Sequence, residues 1–130
     1  MTGSAREPGI HIRKSGYDDE AAFDRFCERI DLRPSASRIK APYMVIAGEK
    51  DQLSPIEHTE ELFALITAPK RLVIYEGANH GVGEAPSAAN GEDQVTMLAD
   101  WLLDRVNGKP AVSERVWIDS AGRARAEPFE

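Results

Sequence analysis

An α/β fold is what this sequence predicts, on three observations. Tyr43-Met44-Val45-Ile46-Ala47 and Arg71-Leu72-Val73-Ile74-Tyr75 are short apolar runs without polar alternation, the pattern of strands buried on both faces in a parallel sheet. Between them Leu62, Phe63, Leu65 and Ile66 supply the apolar face of a helix. Strand, crossover helix and strand within about 33 residues make a βαβ unit, whose crossover is expected to be right-handed.

The remaining elements follow in chain order. Residues 1–16 hold two or more turn-formers and scattered charges with no sustained period, and read as a flexible arm. From 18 to 30, Ala22, Phe23, Phe26, Cys27 and Ile30 recur at helical spacing, with Asp18 or Asp19 placed to cap the start. Pro34 breaks that helix. Pro42 and Gly48 bound the first strand, and a turn through Gly48-Glu49-Lys50-Asp51 leads to Ser54-Pro55-Ile56-Glu57. Ser54 is the expected N-cap there, with Pro55 in the first helical position and Glu57 closing a capping box. Pro69 ends the helix before the second strand.

Gly81 to Gly91 reads as a loop of small residues, with Asn90 able to cap the next helix. In that helix Val95, Leu98, Trp101, Leu102 and Val106 line one side, and Gly108 and Pro110 stop it. Val112 to Ile118 and Arg123 to Glu127, around Asp119-Ser120-Ala121-Gly122, form a β-hairpin pattern. The expected organisation is thus an arm over 1–16, a parallel βαβ core with flanking helices over 17–110, and a hairpin tail over 111–130.

Bulk composition narrows the function classes. Acidic residues outnumber basic ones 22 to 16, for a net charge of −6, and no Lys/Arg stripe is visible, which argues against nucleic acid as a partner. No apolar run approaches the roughly 18 residues needed to cross a bilayer. Arg6, Glu7, Arg13 and Lys14 interrupt the first 20 residues, so no signal-peptide core is expected there. The single Cys27 has no intramolecular disulfide partner, which fits a reducing, cytoplasmic compartment.

Two side chains carry the chemistry. Asp51 lies four residues past the first apolar run and His80 five past the second. In a parallel sheet both fall on neighbouring loops at the carboxyl edge of the strands, where reactive groups collect. A carboxylate there can accept the imidazole Nδ1–H, fix the tautomer and leave the other ring nitrogen to move a proton. Taken singly, Asp51 reads as a turn residue and His80 as a loop histidine. Taken together on one edge, they read as a catalytic acid and base.

The combined pattern resembles the α/β-hydrolases over about residues 38–107. Ala41-Pro42-Tyr43-Met44-Val45-Ile46-Ala47-Gly48-Glu49-Lys50-Asp51, followed by Pro55, is similar to the late strand and acid loop of that family, with its Gly-x-x-Asp turn. Tyr75-Glu76-Gly77-Ala78-Asn79-His80-Gly81 is similar to the last core strand and histidine loop, and the helix ending near Val106 to the closing helix. The family's chain order is nucleophile, acid, histidine.

The resemblance implies a partial α/β-hydrolase fold and a serine-type ester, thioester or amide hydrolase acting on a small acyl substrate. Asp51 would orient His80, and no metal or organic cofactor is implied. The nucleophile elbow, G-x-S-x-G, is absent from the sequence, as is the oxyanion segment that precedes it. Ser15 is followed by Gly16 but has no upstream Gly or strand, and Cys27 is expected to pack on an apolar helix face. The nucleophile is therefore expected from outside this sequence, with the tail hairpin added to an edge, a homo-oligomer or a second chain completing the sheet.

A non-catalytic interaction module on the same scaffold is the main alternative. A flavodoxin-like domain is a weaker one, because Gly48-Glu49-Lys50-Asp51 is too acidic for a phosphate loop. Other candidates read as structure. Glu49 is a solvated turn residue, and His11 and His58 lack companions at metal-ligand spacing. Asp18-Asp19-Glu20 suits a helix N-terminus. Trp101 is expected in the core, and Trp117 as an exposed partner contact.

Overall fold

The second apolar run is the middle of the structure. Leu72, Val73, Ile74 and Tyr75 are all fully buried, with alternate side chains directed into two separate cores. The structure is a computed structural model that describes residues 14–85 and 92–129. The described residues fall into two units, divided between Leu32 and Arg33.

The first unit contains helix α1 (Glu20–Cys27). Asp19 is its cap, its carboxylate accepting the Ala22 N–H at 2.7 Å. Tyr17 packs on Phe23 and Phe26, with ring centroids 6.2 and 5.3 Å apart. Cys27 is exposed, contrary to the packing role expected of it. The helix closes after eight residues, and its apolar face is covered only around the two phenylalanines.

The second unit runs α2 (Arg33–Ala36), β1 (Tyr43–Gly48), α3 (Ile56–Leu65), β2 (Lys70–Tyr75), a 3₁₀ turn (Val82–Glu84), α4 (Gln94–Val106), β3 (Glu114–Ile118) and β4 (Ala124–Pro128). The fold class is α/β, as the sequence predicts. The sheet has four strands in the order β1-β2-β3-β4. β1 and β2 pair in parallel with Val45 opposite Leu72, and β2 and β3 pair in parallel with Val73 opposite Val116. β3 and β4 form the antiparallel hairpin. The hairpin is therefore not an appendage: β3 docks on the free side of β2 and makes it an interior strand.

One core holds Val73, Tyr75, Ala78, Val82, Ala85 and Ile118, with Met97 of α4 packed against it. The other holds Ala47, Phe63, Leu72 and Ile74, backed by Trp117 and Phe129. Fully burying an aliphatic side chain stabilises by roughly 1.5–3 kcal/mol, so β2 supplies the largest local share of the driving force. β1 is only half-buried from Tyr43 to Ile46. It is the outer strand of the sheet, so the sequence reading of two equally buried strands needs correction.

Lys70 begins β2 inside the protein. Its ammonium donates to the carbonyl oxygens of Phe63 and Ile66, both at 2.7 Å, and sits between the Phe63 and Phe129 rings. A cation is well placed there because the last carbonyls of α3 carry the negative end of the helix dipole. Arg115 of β3 donates to Glu60 of α3 at 2.6 Å, tying the hairpin to the same layer.

Two helix starts differ from expectation. Ser54 does not cap α3; Pro55 occupies that position without a side-chain cap, and the Ser54 N–H is engaged elsewhere. The cap of α4 is Asp93, which accepts from the N–H groups of Val95 and Thr96 at 3.0 Å. Asn90, residues 1–13 of the expected arm and His11 lie outside the described residues. No helix of the described residues is long and apolar enough to cross a membrane.

Candidate functional site

Parallel pairing of β1 and β2 ends both strands at the same edge, with Gly48 opposite Tyr75. The loops that leave them run side by side. Glu49 N–H donates to the Tyr75 carbonyl at 3.1 Å, and Lys50 N–H donates to the Ala78 carbonyl at 2.8 Å. Gly48 makes this approach feasible. A Cβ there would lie 2.5 Å from the Ala78 oxygen and closer still to the Asn79 oxygen.

The His80 loop leaves β2 through a tight turn in which Ala78 N–H returns to the Tyr75 carbonyl. Gly77 takes φ +71° at the third position of that turn, a conformation that a side chain disfavours. The turn leaves the Gly77 N–H pointing away from its own loop. The Glu49 carboxylate accepts it at 2.7 Å. Sequence reading placed Glu49 in solvent. It is exposed, but it bonds across to the neighbouring loop, and nothing in local spacing could have revealed a partner 28 residues away.

Asp51 and His80 meet, as their positions on the two loops predict. His80 Nδ1 lies 2.8 Å from Asp51 Oδ2. The other carboxylate oxygen accepts the N–H groups of Leu53 and Ser54 at 2.8 and 2.9 Å. Both N–H groups belong to a turn that Asp51 closes with its own side chain, just ahead of the helix that starts at Ile56. The Ser54 N–H is the foremost influence holding the Asp51 carboxyl below its ordinary value. Desolvation opposes it, and the bonds from His80 and Leu53 reinforce it.

An ionised carboxylate only accepts hydrogen bonds, so the shared proton belongs to the imidazole Nδ1. In the neutral form of the ring, Nε2 is then the nitrogen that carries the lone pair. The Asp51 side chain is 7% exposed, whereas that of His80 is 62% exposed. The acid is thus enclosed and fixed by three contacts, and the base reaches outward from it. Chemically, the arrangement can accept a proton at Nε2 while the carboxylate stabilises the imidazolium that results.

Among the described residues no serine or cysteine side chain is hydrogen-bonded to His80. A hollow of about 260 Å³ borders the His80 loop, lined by Gly77, Ala78, Asn79, Gly81, Glu84 and Ala85, with no hydroxyl or thiol among them. His58 is exposed on α3. Among the described residues no group of three His, Cys, Asp or Glu side chains could hold a metal ion. Trp101 is buried in α4 beneath the Arg105 guanidinium, 5.0 Å from its ring. Trp117, expected as an exposed contact, is half-buried against the Phe63 core instead.

The comparisons with known proteins leave the family open. No family model matches the chain, and no solved structure matches it. It is 31% identical over 72 residues to the uncharacterized protein YfhR of Escherichia coli (strain K12), a stretch that covers 55% of this chain. The matched segment amounts to 25% of that relative's length, so this chain is similar to about a quarter of it.

Proposed function

We propose that this chain supplies the acid–base part of a serine-type acyl hydrolase of α/β-hydrolase type, cytoplasmic and acting on a small ester, thioester or amide. The observation that carries the reading is the Asp51–His80 contact of 2.8 Å, made between adjacent loops at the carboxyl edge of parallel strands. His80 serves as general base toward a serine and then as general acid toward the leaving group. Asp51 holds its tautomer and stabilises the transient imidazolium. The serine and its oxyanion donors come from polypeptide outside these 130 residues, either joined to it or as a second chain. The reading calls for no metal or organic cofactor.

A second reading, an interaction module without catalysis, is favoured by one specific feature. Val95, Leu98, Leu102 and Val106 recur along one side of α4 and are all exposed, Val106 by 83%. The two readings part on turnover. Hydrolysis of a p-nitrophenyl short-chain ester is measured on the protein isolated from its source with its associated polypeptide, beside His80→Ala and Asp51→Asn. The hydrolase reading predicts a loss of about 10³-fold or more for His80→Ala. Turnover that is absent, or indifferent to His80, leaves the interaction module.

A further inference from the structure

The Asp51–His80 pair is exposed on its histidine side, and something must keep the ring from swinging into water. Its own hydrogen bond is one restraint. Among the described residues, the Glu49 carboxylate on Gly77 N–H is the other side-chain bond between the two loops. We propose that Glu49 is a positioning residue for His80. This assignment rests on the acid–base reading of the pair but concerns a different residue and a different bond.

Gly77 stands three residues before His80, and its positive φ sets the direction in which the loop leaves β2. Its N–H has no partner within the turn, since the closing bond of the turn uses Ala78 N–H. Glu49 accepts that N–H from the strand end that also carries Asp51, two residues further along. The acid loop therefore grips the base loop at two points, before the histidine through Glu49 and at the histidine through Asp51. Between them the Lys50 N–H bond to Ala78 holds the backbone. Three successive residues of one loop thus each hold the other. A charge-assisted acceptor is the stronger form of such a bond, and loss of it frees the hinge of the His80 loop.

The test reads the tautomer of His80 directly, by long-range ¹H–¹⁵N correlation of the imidazole nitrogens in the full chain. Free imidazole in histidine favours the proton on Nε2, whereas the bond to Asp51 requires it on Nδ1. Wild type is expected with the proton on Nδ1. Glu49→Ala is expected to shift the neutral ring toward the Nε2–H form, with the far-ultraviolet spectrum unchanged. Glu49→Gln keeps an acceptor for Gly77 N–H and is expected to retain the wild-type pattern. Glu49→Lys presents a donor there and should behave as Glu49→Ala.

A Glu49→Ala or Glu49→Lys protein that keeps the Nδ1–H form overturns the assignment. Asp51→Asn separates the two ideas. If it abolishes the Nδ1–H form while the Glu49 variants do not, Glu49 has no positioning role and the pair stands. Wild-type protein found with the proton on Nε2 removes the pair and, with it, the role for Glu49.

Discussion

Gly48→Ala is the smallest change that should pull the two functional loops apart. The added methyl would lie 2.5 Å from the Ala78 oxygen and 2.9 Å from its carbonyl carbon, both backbone atoms that cannot rotate away. Ordinary contact begins at 3.4 Å, so the His80 loop must retreat by about 0.9 Å at Ala78, and by more at the Asn79 oxygen, which lies closer still. A retreat of that size, directed away from Lys50, opens the 2.8 Å bond between Lys50 N–H and Ala78 to about 3.7 Å, beyond hydrogen-bonding range. Overpacking costs about 1–3 kcal/mol, and a lost backbone bond about 0.5–1.5 kcal/mol. Because the two are coupled, a net loss of about 2–3 kcal/mol is expected rather than their full sum. In a unit of about 100 residues this lowers the melting temperature by about 10–20 °C. Circular dichroism melts measure it, with Gly81→Ala as the control. A Cβ at Gly81 meets nothing nearer than 3.8 Å, and no such fall is expected. Equal melting of Gly48→Ala and wild type would refute the close packing of the loops.

Three further outcomes follow from the same structure. Lys70→Met removes the donor to the Phe63 and Ile66 carbonyls and should cost about 1–3 kcal/mol in urea unfolding, with Lys70→Arg costing less. The carboxyls of Asp51, Asp93, Asp104 and Asp119 are all held below their ordinary value of 3.8, so below that value the native state binds fewer protons than the unfolded chain. Their contribution is complete above that value and is lost as pH falls through the lower native values. Asp51→Asn together with Asp93→Asn should flatten the acid limb of stability against pH, and an unchanged limb would count against those bonds. Finally, Leu98→Glu with Leu102→Glu on the exposed side of α4 should leave the melting temperature within a few degrees of wild type. The same pair should weaken any association seen by sedimentation velocity.

The parts of this protein that could be read from sequence are those governed by local pattern. β2 shows as an unbroken apolar run because both its neighbours and both its faces are covered. Asp51 and His80 could be placed on one edge because parallel pairing leaves no freedom over where the following loops emerge. What escaped the reading depends on tertiary choice between competing partners. Ser54 has every feature of a helix cap, yet the helix begins one residue later, with Pro55 at the cap position. Glu49 looks like any turn acid until the neighbouring loop brings Gly77 to it. The periodicity of α4 groups Val95, Leu98, Leu102 and Val106 with Trp101, but those four are exposed, and the helix packs inward through Met97 and Trp101 instead, because periodicity alone does not say what covers a face. Trp117 alternates as an outward residue would, and is drawn in because β3 joins the sheet beside β2.

The central claim is that His80, oriented by Asp51, activates a serine carried outside these 130 residues. Fluorophosphonate labelling tests it most directly, since the reagent bonds covalently to a serine whose proton a neighbouring base removes. Labelling is done on the protein as isolated from its source, in wild-type and His80→Ala forms, and the modified peptide is located by mass spectrometry. The account predicts a labelled serine beyond the 130 residues in the wild type and at least tenfold less label in His80→Ala. A labelled serine within these residues, or label that persists undiminished without His80, would contradict it.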